Sequence, residues 1–219
     1  MLSSHYGNIL AVYRLRVQLS TAAGCHGENA MTGQPFRPNR ELIVLVGLMG
    51  SGKSSVGRRL AKRLGVPFAD ADAEIVKAAG CSIEDIFELY GEDAFRDGER
   101  RVIARLLGDG PQVLATGGGA FMDPETRAHI VDQGISVWLR AELGVLVERI
   151  GRRSGRPLLK DGDPRNILMK MMETRDPIYA QADIAVNTGN EPPDVTVDQI
   201  MIALEAHSET VQGKENSKL

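Results

Sequence analysis

The chain has 219 residues, 42% apolar and 25% charged, with a formal net charge of -3, as expected of one soluble domain with some overhang. This balance excludes a nucleic-acid binder held by a broad basic surface, and no apolar run approaches the ~18 residues needed to span a bilayer. Cys25, Cys81 and the four scattered histidines show no metal-ligand spacing and suggest no disulfide framework, which fits a reduced cytoplasmic protein.

Residues 1–40 carry Arg14 and Arg16, then Ser, Thr, Gly, Asn and Pro, with no acidic residue before Glu28. They lack the compact apolar core and cleavage site of a secretory signal, and Met31 is an alternative start. A disordered or mis-annotated N-terminal extension is expected. The folded domain then spans 41–206. Glu41–Val46 reads as a buried strand by its β-branched content. Ser54–Leu64 reads as an amphipathic helix, with Val56, Leu60, Ala61 and Leu64 on one face. A short strand ends at Asp70, with a helix expected from Ala73. Ser82-Ile-Glu-Asp85 is a capping box opening another helix, which Gly91 interrupts before a long helix over 92–107. Gln112–Ala115 is a strand stopping at Thr116-Gly-Gly-Gly119, and Asp123-Pro124 starts a helix. A strand over 135–139, a helix over 142–150, a glycine- and arginine-rich lid over 151–163, a helix over 164–179, a strand over 184–186 and a helix over 193–206 complete the domain. The polar tail 207–219 is expected to be disordered. Such strand–helix alternation implies an α/β fold, a parallel sheet with helices on both faces.

Gly47-Leu-Met-Gly-Ser-Gly-Lys53-Ser54 matches G-x-x-x-x-G-K-[ST] at every fixed position and lies between a strand and a helix, the context its mechanism requires. Its glycines let main-chain N–H groups wrap a phosphate, and the helix N-terminus adds partial positive charge. Lys53 is suited to the β- and γ-phosphates of a nucleotide, and the Ser54 hydroxyl to Mg²⁺.

Beyond this loop each signal is open when taken alone. Three glycines, Gly117, Gly118 and Gly119, end a strand where ligands bind in open α/β sheets, or form a flexible turn. Asp70 can hold a metal's water and Asp72 can accept from substrate hydroxyls, or either can cap a helix. Arg96, Arg156 and Arg175 are solvated surface residues or anion ligands. Two guanidiniums suit a carboxylate, and a third on the lid suits a transferring phosphoryl group.

Together, G-x-x-G-S-G-K-S-S, D-A-D, F-R-D-x-E, T-G-G-G, R-P-L-L and R-x-P-x-Y occur in the order and rough spacing of the shikimate kinase family, which the chain resembles over about 41–206. The resemblance implies a three-layer P-loop fold with a five-stranded parallel sheet in order 2-3-1-4-5. It implies transfer of the ATP γ-phosphate to the 3-hydroxyl of shikimate in chorismate and aromatic amino-acid biosynthesis, with one Mg²⁺ per ATP. By the same resemblance Gly50, Ser51, Gly52, Lys53, Ser54 and Ser55 hold the nucleotide phosphates. Ser54 and Asp70 serve the metal, and Asp72 binds shikimate and is the candidate proton acceptor. Arg96 and Arg175 clamp the carboxylate, Gly117–Gly119 contact the ring hydroxyls, Arg156 reaches the phosphates, and Arg149 and Pro193 sandwich adenine. A cytoplasmic monomer without nucleic-acid or membrane partners is expected. The rivals are another small-molecule kinase of this fold, such as a gluconate or nucleotide kinase, and a catalytically silent ATP-binding regulatory module. A nucleic-acid-dependent ATPase is disfavoured by size and charge.

Overall fold

Strand β1 (Ile43–Val46) is buried at every position because it runs down the middle of a sheet covered on both faces. Ile43 and Leu45 point to one side, where they meet Val56, Leu60, Val197, Ile200 and Leu204. Val44 and Val46 point to the other, into a cluster with Ile75, Val102, Ile103 and Leu114. This period of two is what an extended strand dictates. The computed structural model describes residues 42–151 and 163–216, so the expectation for 1–40 and nearly all of the lid lies outside the described residues.

Strands β2 (Phe68–Asp70), β3 (Val113–Ala115), β4 (Ile135–Arg140) and β5 (Ile184–Asn187) join β1 in the order β2-β3-β1-β4-β5. Every pairing is parallel, with Ile43 opposite Val113 on one side and Ile135 on the other. This is the order the family resemblance implied. The connecting helices are α1 (Lys53–Leu64), α2 (Ala71–Ala79), α3 (Ile83–Leu107), α4 (Pro124–Gln133), α5 (Leu143–Gly151), α6 (Pro164–Tyr179) and α7 (Pro193–Asn216). Among the described residues no helix is long and apolar enough to cross a membrane.

Local signals set most boundaries. Ser82 and Asp85 form the capping box at the start of α3, each accepting the other's main-chain N–H at 3.0 Å. Gly91 breaks α3 with φ 79° and ψ 175°, a conformation open to glycine and strained for other residues. Asp123 Oδ1 accepts from Thr126 N at 2.8 Å, with Pro124 in the first turn of α4.

Most element ends lie within two residues of expectation, and two differences matter more than the rest. Helix α2 begins at Ala71, not Ala73, because Asp70 is its N-cap and accepts from Asp72 N and Ala73 N at 3.2 and 3.5 Å. Asp72 therefore sits in the first turn of a helix instead of at a strand end. Helix α7 also runs past Ala206 to Asn216, so residues 207–216 are helical and not a disordered tail. Buried Val197, Ile200 and Leu204 anchor its earlier turns, and propagation from a fixed helix needs no new nucleus. The Ser208 and Thr210 hydroxyls donate back to the carbonyls of Glu205 and Ala206 at 2.6 and 2.9 Å.

Candidate active site

The carboxyl ends of β1, β2 and β3 open into one cavity of about 730 Å³. At one end the loop between β1 and α1 holds Gly50 and Gly52 at φ 85° and 100°, turning the main chain around the position a phosphate would take. Lys53 is 8% exposed, and its Nζ donates to the carbonyls of Gly47 and Leu48 at 2.6 and 3.0 Å. Ser55 lines the cavity two residues further on, whereas Ser51, within the loop, is buried and does not line it. Arg149, from α5, donates through one guanidinium nitrogen to Gly50 O and Ser51 O at 3.2 and 3.1 Å. Its other terminal nitrogen donates to Gly189 O and to Thr188 Oγ1. Pro193, the first residue of α7, lines the same end.

Ser54 and Asp70 meet across the cavity floor, the hydroxyl donating to Asp70 Oδ2 at 2.6 Å. The Oδ1 of the same carboxylate caps α2. Asp70 thus caps the helix with one oxygen, one of the two readings its sequence position left open, and presents the other to Ser54. Among the described residues no cluster of three His, Cys, Asp or Glu side chains could hold a metal by itself. Two protein oxygens with room beside a phosphate loop suit Mg²⁺, which takes one or two protein ligands and completes its shell with phosphate and water.

At the other end neighbouring atoms crowd all three glycines, side chains at Gly117 and Gly119 and the main chain of the phosphate loop at Gly118. A Cβ on Gly117 would lie 2.5 Å from Glu99 Oε1 and 2.9 Å from Asp72 Oδ1. On Gly118 it would meet Met49 N of the phosphate loop at 3.3 Å, and on Gly119 the Arg96 guanidinium at 2.5 Å. The Gly118 carbonyl accepts from Arg175 at 3.2 Å and also from the Tyr179 hydroxyl. Burial pushes the Tyr179 hydroxyl up from its ordinary range, keeping it a donor. Arg96 is held by Glu99 at 2.6 Å and Glu92 at 3.0 Å. Val76, Ile83, Phe87 and Phe95 add an apolar stretch of wall, beside Ser82 and Glu84.

The cavity therefore gathers every expected site residue that is described except Ser51. Arg156 lies outside the described residues. Sequence reasoning assigned nothing to Glu99 or Tyr179, although both belong to motifs it singled out. The signal was their spacing: Glu99 is three residues after Arg96 and Tyr179 four after Arg175, each on the same helical face as its arginine.

A phosphate loop, two guanidiniums and a carboxylate around one cleft, on a 2-3-1-4-5 parallel sheet, define an ATP-dependent kinase acting on a small molecule. The sequence model of the shikimate kinase family matches residues 49–205. The shikimate kinase of Paramagnetospirillum magneticum is 60% identical over 162 residues, 74% of this chain and 83% of that protein. That of Brucella canis is 51% identical over 172 residues, 78% of this chain and 86% of that protein. The solved structure of shikimate kinase from Acinetobacter baumannii in complex with shikimate matches with a TM-score of 0.72 at 36% identity, covering 75% of this chain and 92% of that one. The chain belongs to the shikimate kinase family.

Proposed function

We propose that this site transfers the γ-phosphoryl group of ATP to the 3-hydroxyl of shikimate, giving 3-phosphoshikimate and ADP, a step toward chorismate and the aromatic amino acids. The observation that carries the reading is one continuous cavity with a phosphate loop at one end and Arg96 and Arg175 at the other. Gly50, Gly52, Ser54 and Ser55 bind the nucleotide phosphates. Lys53 exchanges its two carbonyl partners for the β- and γ-phosphate oxygens. Arg149 and Pro193 flank the base.

Ser54 and Asp70 would hold Mg²⁺, whose charge offsets that of the phosphates as the transferred group moves. Arg96 and Arg175 grip the acceptor carboxylate, and the Gly117–Gly119 main chain packs against the ring where no side chain intervenes. Asp72 accepts from the acceptor hydroxyls and turns one of them in line with the γ-phosphorus. Phosphoryl transfer is loose, so orientation and charge carry most of the catalysis, and Asp72 need not be a strong base. Arg156 is assigned to the phosphates.

The test is a coupled ADP-release assay with Mg·ATP and shikimate, gluconate, AMP or no acceptor. Turnover with shikimate alone is expected. Turnover with a different acceptor would discard the carboxylate-clamp assignment and leave the kinase. No turnover with any acceptor, in protein that binds ATP, would favour the silent regulatory module.

A further inference from the structure

Glu99 is a charged side chain that the fold buries without fully pairing it. It is 3% exposed on α3, and its two oxygens do different things. Oε2 accepts from Arg96 at 2.6 Å. Oε1 is buried, has no hydrogen-bond partner, and lies against Gly117 at the cavity wall. A buried carboxylate oxygen without a donor is unfavourable unless the carboxyl is neutral or a ligand supplies one.

The groups facing it come from three helices: Arg96 on α3 itself, with Glu92 on the guanidinium's other side, Asp72 on α2, and Arg175 and Tyr179 on α6. Two cations thus stand against three carboxylates, the buried Glu99, the half-buried Asp72 and the exposed Glu92, before an acidic acceptor arrives. With its carboxylate in place there are four anions for the same two cations, and Glu99 is the one held away from water.

We infer that the protonation of Glu99, whose Oε2 holds Arg96, is linked to acceptor binding: the carboxyl takes up a proton as the acceptor's carboxylate settles on Arg96 and Arg175. The inference rests on the reading of shikimate as acceptor. Burial already pushes the Glu99 carboxyl above its ordinary range, with Arg96 pulling it back only in part. A like charge arriving nearby raises it further. Between the free and bound values the complex holds more protons than its parts. Acceptor affinity is therefore greatest at low pH, weakens by up to roughly tenfold per pH unit through that window, and levels off above it.

The experiment is calorimetric titration of shikimate into the intact protein in two buffers of different ionisation heat, from about pH 5 to 8. It is run on the wild type and on Glu99→Gln, which keeps the shape and an acceptor for Arg96 and cannot titrate. The wild type is expected to show buffer-dependent heats reporting proton uptake, and a dissociation constant that rises with pH. Glu99→Gln is expected to lose both, with a flat profile. Equal uptake in Glu99→Gln would place the proton elsewhere, Asp72 being the nearest acid, and overturn the inference. Should the variant fail to fold, the wild type decides alone, since binding heat without proton uptake also overturns it. No binding heat for shikimate in any buffer would sink the substrate assignment, and this inference with it.

Discussion

Gly119→Ala isolates the acceptor clamp from the rest of the fold. Gly119 has φ -101° and ψ -17°, which alanine adopts without strain, so the main chain has no reason to move. The new methyl would lie 2.5 Å from one Arg96 guanidinium nitrogen and 2.8 Å from its central carbon. The guanidinium is the far end of a flexible side chain and retreats by about 1 Å, a misplacement of the size that costs up to roughly a hundredfold in a positioned reaction. Losing one charge-assisted contact to the acceptor carboxylate removes about 1.5–3 kcal/mol, or roughly ten- to a hundredfold in kcat/KM for shikimate. The stem can swing while Glu92 and Glu99 still hold it, so the melting temperature should fall by only about 2–4 °C. Steady-state ADP release with each substrate varied in turn, beside a thermal melt, reads all of this. An unchanged KM for shikimate would refute the clamp geometry, and an equal rise in the KM for ATP would mean that the methyl disturbs the phosphate loop instead.

Arg96→Ala should raise the shikimate KM far more than the ATP KM, and equal effects would remove Arg96 from the clamp. Asp70→Asn keeps an oxygen for the α2 cap and loses the charge facing Ser54. It should melt within about 1 kcal/mol of the wild type while the Mg²⁺ needed for half-maximal activity rises severalfold, and an unchanged Mg²⁺ titration would exclude Asp70 from the metal site. Ser136 is fully buried near the amino end of β4, does not line the cavity, and shares three hydrogen bonds with Asp183, from 2.6 to 2.9 Å. Ser136→Ala should lose about 1–3 kcal/mol of stability with turnover per folded molecule unaltered, as read by urea unfolding and an activity titration.

The phosphate loop was legible because its chemistry constrains consecutive residues. The sheet order was not a reading of periodicity: alternation of strands and helices leaves the order open, and the family resemblance supplied it. The arginines of the acceptor end were named from that resemblance, but what holds them was missed. Glu99 and Tyr179 act on groups that only folding brings near, Gly117 and Gly118, and helical spacing alone could not say which neighbour each would face. The apolar wall of Val76, Ile83 and Phe87 was invisible for a different reason. Val76 and Ile83 flank the turn between α2 and α3, Phe87 follows one helical turn later, and no local pattern distinguishes such a wall from core. The end of α7 was misjudged because weak amphipathicity was taken as absence of structure, where an anchored helix can extend through polar residues.

The Gly118 peptide lies at the cavity wall with the phosphate loop against its Cα and Arg175 and Tyr179 on its carbonyl. An inhibitor anchored to that peptide would bond to main-chain atoms, which no substitution can delete. Any larger residue at 118 would press directly on Met49 N and disturb the loop that binds ATP. Resistance by mutation at this point would therefore damage the enzyme, whereas at Val76 or Phe87 a change of side chain could expel the drug and spare the reaction.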